Sequence, residues 1–140
     1  MNAGCKLIVN PFLKYEAYGR QARFVRLKSL YHFLREMPDE KCQVAVRRDL
    51  DHEVSNTYVG DWFSAESVSA VVGKGYFQTI FTRHAALLQE RIANFDCEFA
   101  ELLAENNISP EGSRCHALEV IGREIAALTE KEALAKEASA

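Results

Sequence analysis

Seven apolar or small residues, Phe81, Ala85, Leu88, Ile92, Phe95, Phe99 and Leu102, follow one another at intervals of 4, 3, 4, 3, 4 and 3. A spacing that averages 3.5 keeps one side chain per half-heptad on the same stripe of a helix, and such a stripe has to be buried against another helix. The segment from about Phe77 or Arg83 to Asn106 is therefore expected to be one long helix. Phe95, midway along the stripe, is its expected energetic centre.

Asn107 to Ser109 breaks that helix, and Ser109-Pro110-Glu111 is a new start signal, with proline at the first helical position and an acid in the first turn. Gly112 and Ser113 weaken the turn and move the expected start a few residues on. Leu118, Ile121, Ile125 and Leu128 then step by 3, 4 and 3, with Glu119/Arg123 and Glu132/Lys136 as favourable i, i+4 pairs. A connection this short makes the two helices antiparallel, so the carboxyl-terminal half reads as a helical hairpin. The final ten residues, rich in Ala, Glu and Lys, are expected to fray.

The amino-terminal half is read differently. Leu7 to Val9 forms a short strand stopped by Pro11, which has no backbone donor for a sheet. From Tyr15 to Met37 the residues Phe24, Leu27, Leu30, Tyr31, Leu34 and Met37 recur at helical steps, and Pro38 ends the run. Lys41 to Arg48 alternates, with Cys42, Val44 and Val46 on one face, as a half-buried strand does, and Val54 to Val59 supplies another. These strands are expected to join in one small sheet covered by the first helix.

Ser64 to Phe81 supports two structures. Ser64 as N-cap, Phe63 and Val68 as a hydrophobic staple and Gly73 as C-terminal cap favour a short helix over Ser64 to Val72. The β-branched and aromatic residues of Val68 to Val72 and Tyr76 to Thr82, joined at Gly73-Lys74-Gly75, would instead make a hairpin. Three agreeing start and stop signals favour the helix. The expected class is thus α+β: one domain over 1–140, with an α+β portion at 1–60 and a mainly helical portion at 64–137.

At 140 residues and 48% hydrophobic, the chain is long enough to bury a core unaided. Its longest apolar runs, Ala85 to Leu88 and Ile125 to Leu128, are far short of the roughly 20 residues a membrane span needs. Asn10 and Pro11 cut the apolar patch at Leu7 to Val9 too short for a signal-peptide core, so a cytoplasmic location without membrane contact is expected. Cys5, Cys42, Cys97 and Cys115 lack C-x-x-C spacing and read as free, mostly buried thiols.

The net charge of −3 conceals a split. Residues 1–50 carry ten Lys or Arg against five Asp or Glu, net +5, and residues 51–140 carry seven against fifteen, net −8. Arg20, Arg23, Arg26, Lys28 and Arg35 lie along the first helix with Tyr15, Tyr18 and Phe24 interleaved, a mixture able to pair phosphates and stack bases. On a helical wheel these cations spread around the axis. The acidic hairpin, with Glu90, Asp96, Glu98, Glu101 and Glu105, could instead meet a basic partner or imitate a nucleic-acid backbone.

Signals for chemistry are weak. Asp49, Asp51, His52 and Glu53 offer three carboxylates and an imidazole but match no metal-ligand spacing. His32, His84 and His116 stand isolated, and Cys115 and His116, adjacent on a helix, point about 100° apart. Gly73-Lys74-Gly75 lacks the rest of a P-loop, and a helix-turn-helix reading of Ser64 to Thr82 fails at Lys74, Thr79 and Thr82. No catalytic residue, metal or cofactor is expected. The leading expectation is a non-enzymatic interaction protein, a small regulator or inhibitor of a larger protein or nucleoprotein machine such as phages and mobile elements carry. Phe81, Leu88, Ile92, Phe95, Phe99 and Leu102 would be its self-association or core seam, and the first-helix cations its binding residues. The alternatives are a nucleic-acid-binding transcriptional regulator and a small metal-dependent enzyme.

Overall fold

Two short alternating segments separated by one long helical segment can pair in parallel only if the helix carries the chain back across the sheet. The structure, a computed structural model, shows this arrangement and describes residues 4–12, 19–48, 55–59, 63–69 and 77–139. Strand β1 (Cys5–Val9) runs into α1 (Gly19–Glu36) and returns as β2 (Cys42–Val46). The two strands are parallel and in register from Cys5 opposite Cys42 to Val9 opposite Val46. After β3 (Ser55–Val59), β4 (Phe63–Ser69), β5 (Phe77–Thr82) and α2 (Ala85–Glu105), a 3₁₀ turn at Pro110–Gly112 leads into α3 (Ser113–Ala138).

The chain divides into two compact units, residues 1–50 with 102–140, and residues 51–101. In the first, Leu27 and Leu34 of α1, seven residues apart, meet Val44 and Val46 of β2 and Ala117, Val120, Ile121 and Leu128 of α3 in one buried cluster. Among the described residues, no strand lies beside the outer edge of β2. Its Val44 N–H donates instead to Ser113 Oγ at 3.1 Å, and Ser113 donates in turn to the Pro110 carbonyl at 2.6 Å. The first residue of α3 thus closes the sheet edge that the small sheet leaves open.

Helix ends in this unit are stopped by specific groups. At the end of α1, Arg114 donates to the Leu34 carbonyl at 2.9 Å and to Asp39 Oδ1 at 2.8 Å, placing a cation where the helix dipole is negative. At the end of α2, Asn107 takes φ 55°, its N–H donates to Ala104 O and the Ile108 N–H donates to Leu103 O. That pair of bonds is the Schellman termination, with asparagine in the left-handed position glycine usually fills. Ser109 then caps the 3₁₀ turn by accepting from the Gly112 N–H, as the Ser-Pro-Glu signal implies.

In the second unit, β3, β4 and β5 form an antiparallel sheet in that order, with Val59 opposite Phe63 and Ser64 opposite Thr82. His84 Nδ1 accepts the Leu87 N–H at 3.4 Å at the start of α2. Leu88 and Phe99 of α2 are buried, and Phe95 stacks on Phe99 with ring centroids 6.1 Å apart.

Several expectations are corrected. Ser64 does not cap a helix: it lies in β4, buried, and its hydroxyl accepts from Arg91 Nη1 at 3.1 Å. Capping signals are worth about 1 kcal/mol each, whereas β4 forms ladders with strands on both sides, and the tertiary pairing wins. Phe81 leaves the α2 stripe, since it sits in β5 and is 69% exposed. Its interval of four to Ala85 continues the heptad count, but Phe77, Thr79 and Phe81 share the period of a strand. The stripe Leu118, Ile121, Ile125 and Leu128 packs in the core with α1 and β2. The strand at 55–59 pairs with β4 and not with β1 or β2, so one expected sheet is two. Where fraying is expected, α3 instead runs on to Ala138. No helix among the described residues is long and apolar enough to cross a membrane.

Candidate functional site

Parallel strands end on the same side of their sheet, and the chain leaving them gathers there; in open α/β sheets that end is where ligands bind. Here β1 ends at Val9 beside the end of β2 at Val46, and the Arg47 N–H extends the pairing by donating to the Val9 carbonyl at 2.8 Å. The turn that follows β1 is held locally, with Asn10 Oδ1 accepting the Phe12 N–H at 3.1 Å and Pro11 buried.

Three arginine side chains reach that turn, and Arg47 adjoins it through its backbone. Arg23 reaches back from α1 to donate to the Pro11 carbonyl at 3.0 Å and pairs with Glu124 of α3 at 2.9 Å. Its side chain is only 13% exposed, so it is a structural tie between turn, α1 and α3. Arg26, one turn on and exposed, lies 3.5 Å from the Asn10 carbonyl, a weak contact. The Arg48 guanidinium sits over the Phe12 ring at 4.8 Å from its centroid, while Arg47 is half-buried beside the strand end. Cation–π stacking holds a guanidinium by its face and leaves its N–H edge for an outside acceptor.

The other first-helix cations stand apart from this cluster. Arg20 is exposed in the first turn of α1, Lys28 lies over the Phe24 ring at 5.0 Å, and Arg35 is exposed in the last turn. At 1.5 Å per residue, Arg35 stands roughly 22 Å along the axis from Arg20. The set Arg20, Arg23, Arg26, Lys28 and Arg35 is therefore not one patch. The structure draws Arg23 inward and places Arg48 on the Phe12 ring, in the same turn whose Asn10 carbonyl Arg26 approaches, with Arg47 beside it in the chain. Sequence reasoning missed that pair because only the parallel register carries residue 47 to residue 9; an Arg-Arg step at the end of a strand in a β-α-β order was the available signal.

Few groups elsewhere are poised for chemistry. Asp49, Asp51, His52, Glu53, Gly73-Lys74-Gly75, Tyr15 and Tyr18 lie outside the described residues. The helix-turn-helix reading of Ser64 to Thr82 is overturned by β4 and β5. Cys115 is exposed with its sulfur 3.9 Å from Asp39 Oδ1, and His32 stands edge-on to Tyr31 with ring centroids 6.2 Å apart. Among the described residues there is no group of three or more His, Cys, Asp or Glu placed to hold a metal ion. No protein-family model, curated protein or solved structure matches the chain.

Proposed function

We propose that this protein acts by binding a larger macromolecule, as a small non-enzymatic regulator or inhibitor, and that Arg26, Arg47 and Arg48 at the carboxyl ends of β1 and β2 are its contact with an anionic surface of that partner. The gathering of cations about one turn carries the reading: Arg26 lies at the Asn10 carbonyl, Arg48 stacks on the Phe12 ring, and Arg47 follows the end of β2. Guanidinium groups fit carboxylates and phosphates alike, so a protein or nucleoprotein partner is consistent with the site.

The test is recovery of partners from the native host by wild-type protein and by R26E/R47E/R48E, with circular dichroism establishing that both are folded. A partner held by the wild type and lost by the variant supports the proposal. Identical partner sets from both proteins refute it. Nucleic acid as the partner is favoured by Phe12, whose ring stands beside the cluster under Arg48. Fluorescence anisotropy with labelled single-stranded RNA and duplex DNA, repeated over a salt series, separates that case from an acidic protein.

A further inference from the structure

Residues directly opposite each other on paired strands send their side chains to the same face of the sheet. Cys5 and Cys42 are such a pair, at the end of β1 and β2 remote from the arginines, and their sulfurs lie 3.5 Å apart. Neighbouring strands run about 4.8 Å apart, inside the range of Cα separations that a disulfide spans. From 3.5 Å, turning the two side chains brings the sulfurs towards the roughly 2 Å of a disulfide bond. Cys42 is buried and Cys5 half-buried, so Cys5 is the more accessible of the two to a small oxidant.

We infer that Cys5 and Cys42 are a thiol-oxidation site, a dithiol that peroxide converts to an intrachain disulfide across the parallel strand pair. Cys5, as thiolate, attacks one oxygen of hydrogen peroxide. The O–O bond breaks, hydroxide leaves and takes up a proton as water, and Cys5 becomes a sulfenic acid. The Cys42 sulfur then attacks Cys5 sulfur; the S–O bond breaks and the hydroxyl leaves with the Cys42 proton as a second water. Two thiols have lost two electrons, and peroxide has gained them.

The division of roles follows from the surroundings. Burial first, then the hydrogen bond and charge of Cys5, push the Cys42 thiol up to about 12, against a smaller opposing pull from Arg114. Cys42, buried and 3.5 Å from the Cys5 sulfur, is thus the resolving thiol. Cys97 and Cys115 are exposed and belong to no such pair.

The experiment treats full-length folded protein with hydrogen peroxide, alkylates remaining thiols with iodoacetamide and maps the digest by mass spectrometry, in wild type and in C97S/C115S. Both proteins should lose the Cys5 and Cys42 thiols together and yield one peptide linked through these residues, which dithiothreitol separates. C42S in the C97S/C115S background should stop at a Cys5 sulfenic acid trapped by dimedone. Recovery of Cys5 and Cys42 both alkylated after peroxide, in protein that circular dichroism shows to be folded, would overturn the inference. So would a link that forms only after unfolding in urea.

Discussion

Ser113→Ala isolates the contact by which α3 closes the edge of β2. The wild-type hydroxyl is fully buried, accepts the Val44 N–H at 3.1 Å and donates to the Pro110 carbonyl at 2.6 Å. Removing the oxygen deletes two hydrogen bonds worth about 0.5–1.5 kcal/mol net each, but their partners fare differently. Pro110 is exposed, and its carbonyl can turn to water. Val44 is wholly buried on an edge with no second strand among the described residues, so its N–H loses the Ser113 acceptor and bears a desolvation cost of about 1–3 kcal/mol. The expected loss is about 2 kcal/mol, a large share of the roughly 5–15 kcal/mol that holds a domain together. Urea unfolding followed by circular dichroism should show a lower midpoint with an unchanged slope, and Val44 should exchange its amide hydrogen faster. Ser109→Ala, at the exposed cap of the 3₁₀ turn, should cost roughly half as much. A Ser113→Ala protein within about 0.5 kcal/mol of wild type would refute the edge-closing role.

Three further outcomes are expected. Phe99→Ala, at a site only 4% exposed, should lose about 3–5 kcal/mol, and Phe95→Ala, half-buried, distinctly less; equal unfolding costs would contradict the burial difference. Because the Cys42 pKa is raised in the fold, the protonated thiol stabilises the protein fully below the ordinary thiol value near 9 and loses that contribution as pH rises towards about 12. Urea midpoints should fall across that window more steeply for wild type than for Cys42→Ala. Pairing of two copies through Ile92, Phe95 and Leu102 of α2 should give light scattering at twice the chain mass at micromolar concentration, and the single-chain mass would remove that proposal.

Helices were legible where periodicity and end signals agreed within one segment. Leu27 and Leu34 marked the inner face of α1, Pro38 its end, and Ser109-Pro110 the turn before α3. What escaped were decisions made between segments. Ser64 carries every local mark of a helix N-cap and lies in a strand, because a ladder on each side outweighs a cap. Leu118 to Leu128 show an apolar face but not what it faces, and α1 with β2 is the answer. The site was legible in its residue type and not in its membership. Arg23 and Arg26 are three residues apart and look alike in sequence, yet a glutamate one hundred and one residues away makes Arg23 structural. Arg48 acquires its place only through the Phe12 ring.

A chain of net charge −3 has no reason to adhere to a polyanion unless its cations are gathered in one place. Retention on immobilised heparin, eluted by a salt gradient, therefore tests the arginine surface most directly. Arg23 is left intact because its reversal would set two carboxylates against each other beside Glu124 and report on folding. Wild type should be retained at low salt and released as salt rises, and R26E/R47E/R48E should pass through unretained with an unchanged circular dichroism spectrum. Wild-type protein that flows through at low salt, or a folded variant that elutes at the same salt as wild type, would contradict a binding surface at the carboxyl ends of β1 and β2.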